Sequence, residues 1–195
     1  MKWKILELKT FPNSPQTVIL LAGKRKVLPG DEVMIFEFGK RLALEYDKCI
    51  FRSGNAEGAD QYFIEGVKEV APDRVQLVLP FENHRKKTQV GVYTQSIEQL
   101  QLSAESPAVY QANLSANYRR LIDLYFEQPQ SKAAIKASYL IRDMVMVFGH
   151  GALAPISAAY FYDDLTQPCQ GGTGFTMQLC AELKIPFWNQ GVWGK

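Results

Sequence analysis

The chain has 195 residues, 47% hydrophobic and 22% charged, with a formal net charge of +2. That suffices for one α/β domain with its own core. It lacks the strong basic bias of non-specific nucleic-acid binders, so nucleic acid is not expected among the partners. No apolar run approaches the roughly 20 residues that cross a bilayer. Met1-Lys2-Trp3-Lys4 leads into polar sequence rather than a signal peptide's apolar stretch, so a cytoplasmic protein away from membranes is expected.

Thr17 to Ala22 runs apolar and β-branched, as a strand buried on both faces does, and stops at Gly23-Lys24-Arg25. Pro29-Gly30-Asp31 punctuates, and Asp31 is placed to cap a helix running to about Tyr46. Cys49 to Phe51 reads as the second strand, followed by Ser53-Gly54-Asn55-Ala56-Glu57-Gly58-Ala59-Asp60. Ala59, Phe63, Gly66 or Val67, and Val70 then recur at helical spacing until Pro72-Asp73, and Val75 to Leu79 reads as a third strand. Residues 82–130 read as a helical and loop insertion within a single domain spanning 1–195. In it, His84 and the basic run Arg85-Lys86-Lys87 are taken as solvated, and Ser103 to Pro107 as a break. Leu114, Tyr118, Leu121 and Tyr125 mark a helix between Asn113 and Phe126. Gln128-Pro129-Gln130-Ser131 separates it from another helix ending near Arg142. Met144 to Phe148 reads as a strand ending at Gly149-His150-Gly151, and Ile156 to Tyr162 as another ending at Asp163-Asp164. Gly171-Gly172-Thr173-Gly174 opens a helix with Thr176, Leu179, Cys180 and Leu183 on one face, and Ile185 to Trp188 is the last strand.

Strands alternating with helices imply right-handed βαβ units and a doubly wound, mainly parallel sheet flanked by helices on both faces. Such sheets bind ligands beyond the carboxyl ends of their strands, where the strand order reverses. That rule selects Gly23, Lys24, Arg25, Ser53, Gly54, Asn55, Gly149, His150 and the pair Asp163-Asp164, together with the helix start at Gly171, Gly172, Thr173 and Gly174. Glycines allow close backbone approach, helix starts offer free N–H donors, and Lys24 and Arg25 add positive charge, which suits a phosphate-bearing small molecule. Asp60 either binds backbone across its turn or takes part in chemistry, and His150 is either an ordinary strand-end histidine or an acid–base group. Cys49, Cys169 and Cys180 have no zinc-ligand spacing and Asp163-Asp164 lacks a third ligand, so no metal is expected. Cys49 and Cys180 read as small buried hydrophobes.

These motifs together resemble the SLOG superfamily, the Rossmann-like group that includes DNA-processing proteins and the Lonely Guy phosphoribohydrolases, and in the N-terminal part its small YspA-like branch. Gly23-Lys24-Arg25 matches a Gly-x-Arg turn after the first strand. Residues Ser53 to Asp60, with Gly58 and Asp60 in register, match Ser-Gly-Gly-Ala-x-Gly-x-Asp except that Asn55 replaces a glycine; Asn tolerates left-handed backbone. Arg142-Asp143 matches an arginine-containing helix end before a strand, and Gly171-Gly172-Thr173 a turn opening the last helix. The resemblance implies a nucleotide or nucleotide-derived ligand, and the paired glycine turns without the glutamate of the phosphoribohydrolase motif make a sensor or carrier, with no further cofactor, the first reading. The phosphoribohydrolases carry Pro-Gly-Gly-x-Gly-Thr-x-x-Glu. Aligned on the glycines, this chain has Gln170, Phe175 and Gln178 at the proline, threonine and glutamate, and a glutamine is no acid–base group. Hydrolysis of an N-glycosidic or phosphate bond, with His150, Asp60, Asp163 or Asp164 as acid or base, is therefore the second reading, and its catalytic residues stay unassigned. Single-strand DNA binding, by analogy with the DNA-processing branch, is the weakest. Met34, Phe36 and Phe38 suit a homo-oligomer face or the monomer's own core.

Overall fold

β1 (Val18–Gly23), β3 (Val75–Leu79) and β5 (Ala158–Tyr162) form where the sequence is mostly apolar with little alternation, and β2 (Ile50–Ser53) is nearly all buried although it carries Arg52 and Ser53. Successive side chains of a strand point to opposite faces, so such runs need cover on both sides. In the computed structural model, which describes residues 11–89, 91–103, 106, 109–110, 116–127 and 131–194, both sides are covered. On one face Ile19, Leu21 and Phe51 pack under α1 (Asp31–Glu45) and α2 (Ala59–Lys68). Phe38 stacks there on Trp193 of the short α6 (Gln190–Trp193), ring centres 4.3 Å apart. On the other face Leu20, Ala22, Val78 and Phe161 meet α4 (Lys132–Phe148) and α5 (Gly171–Glu182), and α3 (Ala116–Glu127) packs against α4. With β4 (Tyr93–Ser96) and β6 (Phe187–Asn189), the strand order is β4-β3-β2-β1-β5-β6, every neighbouring pair parallel. This is the doubly wound α/β architecture expected. Among the described residues no helix is long and apolar enough to cross a membrane.

Several expectations need correction. Met144 to Phe148 is not a strand but the last turns of α4, which runs unbroken past Arg142. Met144, Val145, Met146 and Val147 are all buried, and a short run buried all round looks the same in sequence whether helix or strand. The sixth strand is instead β4, a short polar edge inside the expected insertion, with no apolar pattern to announce it. Asp31 does not cap α1. Gly30, at φ 95°, holds that position, and Asp31 is the first helical residue, accepting from the Tyr162 hydroxyl at 2.6 Å. Phe38 is core, whereas Met34 and Phe36 are half-buried. Cys49 and Cys180 are buried and Cys169 is exposed. Met1-Lys2-Trp3-Lys4, Asn113, Leu114, Gln128-Pro129-Gln130 and most of the break before Pro107 lie outside the described residues, as do the side chains of Tyr118 and Leu121.

Candidate functional site

The chain leaves β1 toward β2 on one side and returns as β5 on the other, so the loops after these strands diverge and leave a crevice at their carboxyl ends. A cavity of about 390 Å³ lies there, walled by the β1 end, the 53–60 turn, α4 and the start of α5.

The 53–60 turn is built to meet the β1 end. Asn55 takes the left-handed conformation at φ 54°. Its side chain donates to the His84 carbonyl at 3.3 Å and accepts from the Thr88 hydroxyl at 2.7 Å. Gly58 sits at φ 82°, where a Cβ would run into the Arg25 carbonyl, so only glycine allows the two turns to touch. The Ala59 amide then donates to the Lys24 carbonyl at 3.1 Å. Asp60, buried, accepts from the Gly23 amide at 2.9 Å and the Ala56 amide at 3.3 Å. Of the two roles open to Asp60, the bonds are those of a staple between turns. Ala56 and Asp60 face the cavity, while Ser53, Gly54, Asn55 and Gly58 stand behind them.

The opposite wall is the start of α5. Gln170 holds the N-cap position with no side-chain cap, so the amides of Gly171, Gly172 and Thr173 open into the crevice without a side-chain acceptor. Gly174 is packed inside the first turn against Cys169. Lys24 ties the two walls, donating to the Gln170 carbonyl at 2.6 Å and standing 3.3 Å from the buried Asp163 carboxylate.

α4 supplies the floor. Lys136, Tyr139, Leu140 and Asp143 recur at helical spacing and line the cavity together. Arg142 donates to the Gly54 carbonyl, and its Nε lies 2.8 Å from Asp143 Oδ1. Arg25 and Arg142 sit 5.6 and 5.7 Å from the Tyr139 ring centre. Burial pushes the Asp143 carboxyl up to about 6, against the pull of Arg142 and with the help of Asp60. Burial likewise raises Asp60, opposed by Arg142 and its two backbone donors. Two buried carboxyls thus share one guanidinium.

His84 is not solvated as expected. It stacks edge-on with Phe81 and Tyr139, ring centres 5.0 and 5.7 Å away, and its Nε2 is buried without a partner among the described residues. Burial, then Arg142 and Arg85, lowers it to about 4. Arg85 is no free loop charge either, since it donates to the Asn55 carbonyl and to Gln61 at 2.6 Å. Gly149 and His150 are not strand-end residues. Gly149 caps the end of α4, and the hairpin-like turn through His150 leads into Ser157, whose amide meets Val18 at the amino end of β1, away from the crevice. Asp143 was noted only beside Arg142, and Lys136 and Tyr139 were missed because no glycine turn or strand end marks their part of α4 as facing the crevice.

A solved structure of DNA processing protein A from Helicobacter pylori, described for its unique single-stranded DNA binding mode, superposes with a TM-score of 0.52. The match covers 91% of this chain and 66% of that one at 12% sequence identity. The fold is Rossmann-like. The likeness shows that fold and no more, and the chain spans just under two thirds of that protein. No known family profile and no curated protein matches the chain. The Rossmann-like neighbour, described as binding single-stranded DNA, counts against the expectation from net charge that nucleic acid is not among the partners. A whole-chain charge of +2 averages away a local cluster, and Lys24, Arg25, Lys136 and Arg142 are gathered at one crevice.

Proposed function

We propose that this protein binds single-stranded nucleic acid and that the β1–β5 crevice takes one nucleotide of the strand. The observation that carries the reading is the uncapped start of α5 facing Lys24, Arg25 and Lys136 across one cavity. Backbone amides at a helix start and nearby cations are what a phosphate needs. Tyr139, half-exposed in the same wall, offers a ring against which a base packs. The Rossmann-like neighbour, itself described as binding single-stranded DNA, supports the class of partner. The turn Ser53 to Asp60 supports placing the chain in the SLOG superfamily.

The test is fluorescence anisotropy with a labelled oligothymidylate of about 20 nucleotides over a salt series. Three cations on the phosphates give a log–log salt slope of about −2. Absence of binding at low salt would refute the proposal. A second reading, a free nucleotide-derived small molecule, is favoured by the cavity volume of about 390 Å³, which lies in the small-ligand range. It predicts that a mononucleotide competes as well as the oligonucleotide does. Hydrolysis has less support, because Asp60 is engaged with backbone and Gln178 pairs with Glu182 on α5.

A further inference from the structure

Beyond Lys24 lies a second chamber of about 640 Å³, which shares Lys24, Arg25 and Gln170 with the first as a common wall. We propose that it holds the next nucleotide of the strand, so that the protein grips two adjacent nucleotides with the linking phosphodiester on the Lys24–Arg25 ridge. The inference rests on the single-strand reading of the first chamber.

Three features point to this occupant. The first is the charge on the ridge. The Lys24 ammonium has three donor hydrogens, directed here at Gln170 and Asp163, and it lies where the chambers meet. Arg25 makes no ion pair among the described residues. The second is the mouth of the chamber. Leu28 and Leu165 stand in its lining at 62% and 53% exposure. Two large apolar side chains held open to water beside a cationic ridge offer a planar base the surface it buries. The third is the exposed rim, where Gln167 brings an amide and Asp164, one of whose oxygens accepts from Thr166 and Gln167, brings a carboxylate beside that apolar mouth. A nucleobase has both a ring face and a hydrogen-bonding edge, and the chamber offers partners for each.

The experiment displaces a labelled oligothymidylate from the full chain with thymidine 5′-phosphate and with the 5′-phosphorylated dinucleotide, at one salt concentration. The dinucleotide is expected to compete at about tenfold lower concentration, the worth of one stacked base. Leu165→Glu and Leu28→Glu alter exposed positions outside the core and put a carboxylate at the second mouth. Each is expected to bring the mono-to-dinucleotide ratio toward one while thymidine 5′-phosphate still competes within about twofold of its wild-type strength. That retained competition separates a blocked chamber from general repulsion. A ratio near one in the wild type, or a ratio unchanged in both variants, overturns the second chamber and leaves the first standing. If the oligothymidylate itself does not bind, the reading of the first chamber falls and the inference falls with it.

Discussion

Asp143→Asn is expected to make the protein more stable at neutral pH. The folded carboxyl titrates near 6 against a reference of 3.8, since burial strips water from the charged form and its neighbouring guanidinium also serves Asp60. A carboxyl raised in the folded state binds its proton more tightly there than in the unfolded chain. The stability it contributes is full below 3.8 and is lost as pH rises through about 6. A gap of about two units, at about 1.4 kcal/mol each, makes ionised Asp143 cost about 3 kcal/mol. Asparagine keeps the shape and a carbonyl to accept from Arg142 but carries no charge to desolvate. The variant should match the wild type near pH 4 and exceed it by about 1–3 kcal/mol near pH 8. Urea unfolding followed by circular dichroism across that range reads the difference directly. A variant less stable than wild type near pH 8, and equal near pH 4, would falsify the reasoning, because the Arg142–Asp143 ion pair would then outweigh the desolvation.

Arg52 is fully buried in β2, bonded to Gln76 at 2.6 Å and to the Met146 carbonyl at 2.8 Å, with Nη2 unpartnered among the described residues. Arg52→Ala should cost about 3–5 kcal/mol in urea unfolding and Arg52→Met clearly less, since the latter fills the space; equal losses would show that volume is not the issue. Gly54→Ala places a methyl where the Arg142 guanidinium lies, so melting should show a loss of about 1–3 kcal/mol, and unchanged stability would mean that Arg142 is free to move. His84, lowered to about 4, makes the fold lose stability as pH drops from 6.5 toward 4, by about 1–2 kcal/mol after allowing for its partial exposure. His84→Phe should flatten that limb of the pH profile, and an unaltered limb would assign it elsewhere. Lys136→Gln should weaken oligonucleotide binding and reduce the salt slope by about 0.7, with no change in slope removing Lys136 from the phosphate contacts.

The architecture was legible because its strands lie in apolar runs that end at turn residues: the runs Thr17 to Ala22, Val75 to Leu79 and Ile156 to Tyr162 hold β1, β3 and β5. The convergence of the 53–60 turn with Gly171-Gly172-Thr173 was legible too, since the crossover rule puts both at the carboxyl ends of the strands. What escaped has a common cause. Met144 to Val147 is buried on every side by the sheet and its neighbours, which erases helical periodicity, and so α4 seemed to end early. Ending α4 there also gave His150 a place at the crevice, although it belongs to the far end of the fold, and nothing in the sequence marked Lys136 and Tyr139 on the expected part of the helix as facing that crevice. β4 is polar and at the edge, and pairs through backbone alone, so no side-chain pattern marks it. Arg85 and His84 looked solvated because charge in a loop says nothing of the Asn55 turn they pack on.

On the proposed function, backbone amides at the start of α5 receive the phosphate of a bound strand. Two-dimensional ¹H–¹⁵N spectra of the protein titrated with oligothymidylate test it most directly. Saturable shifts are expected for the Gly171, Gly172 and Thr173 amides together with those of Lys24 and Arg25, and none for Gly149 or His150. Saturable binding that leaves the three α5 amides unmoved would contradict it.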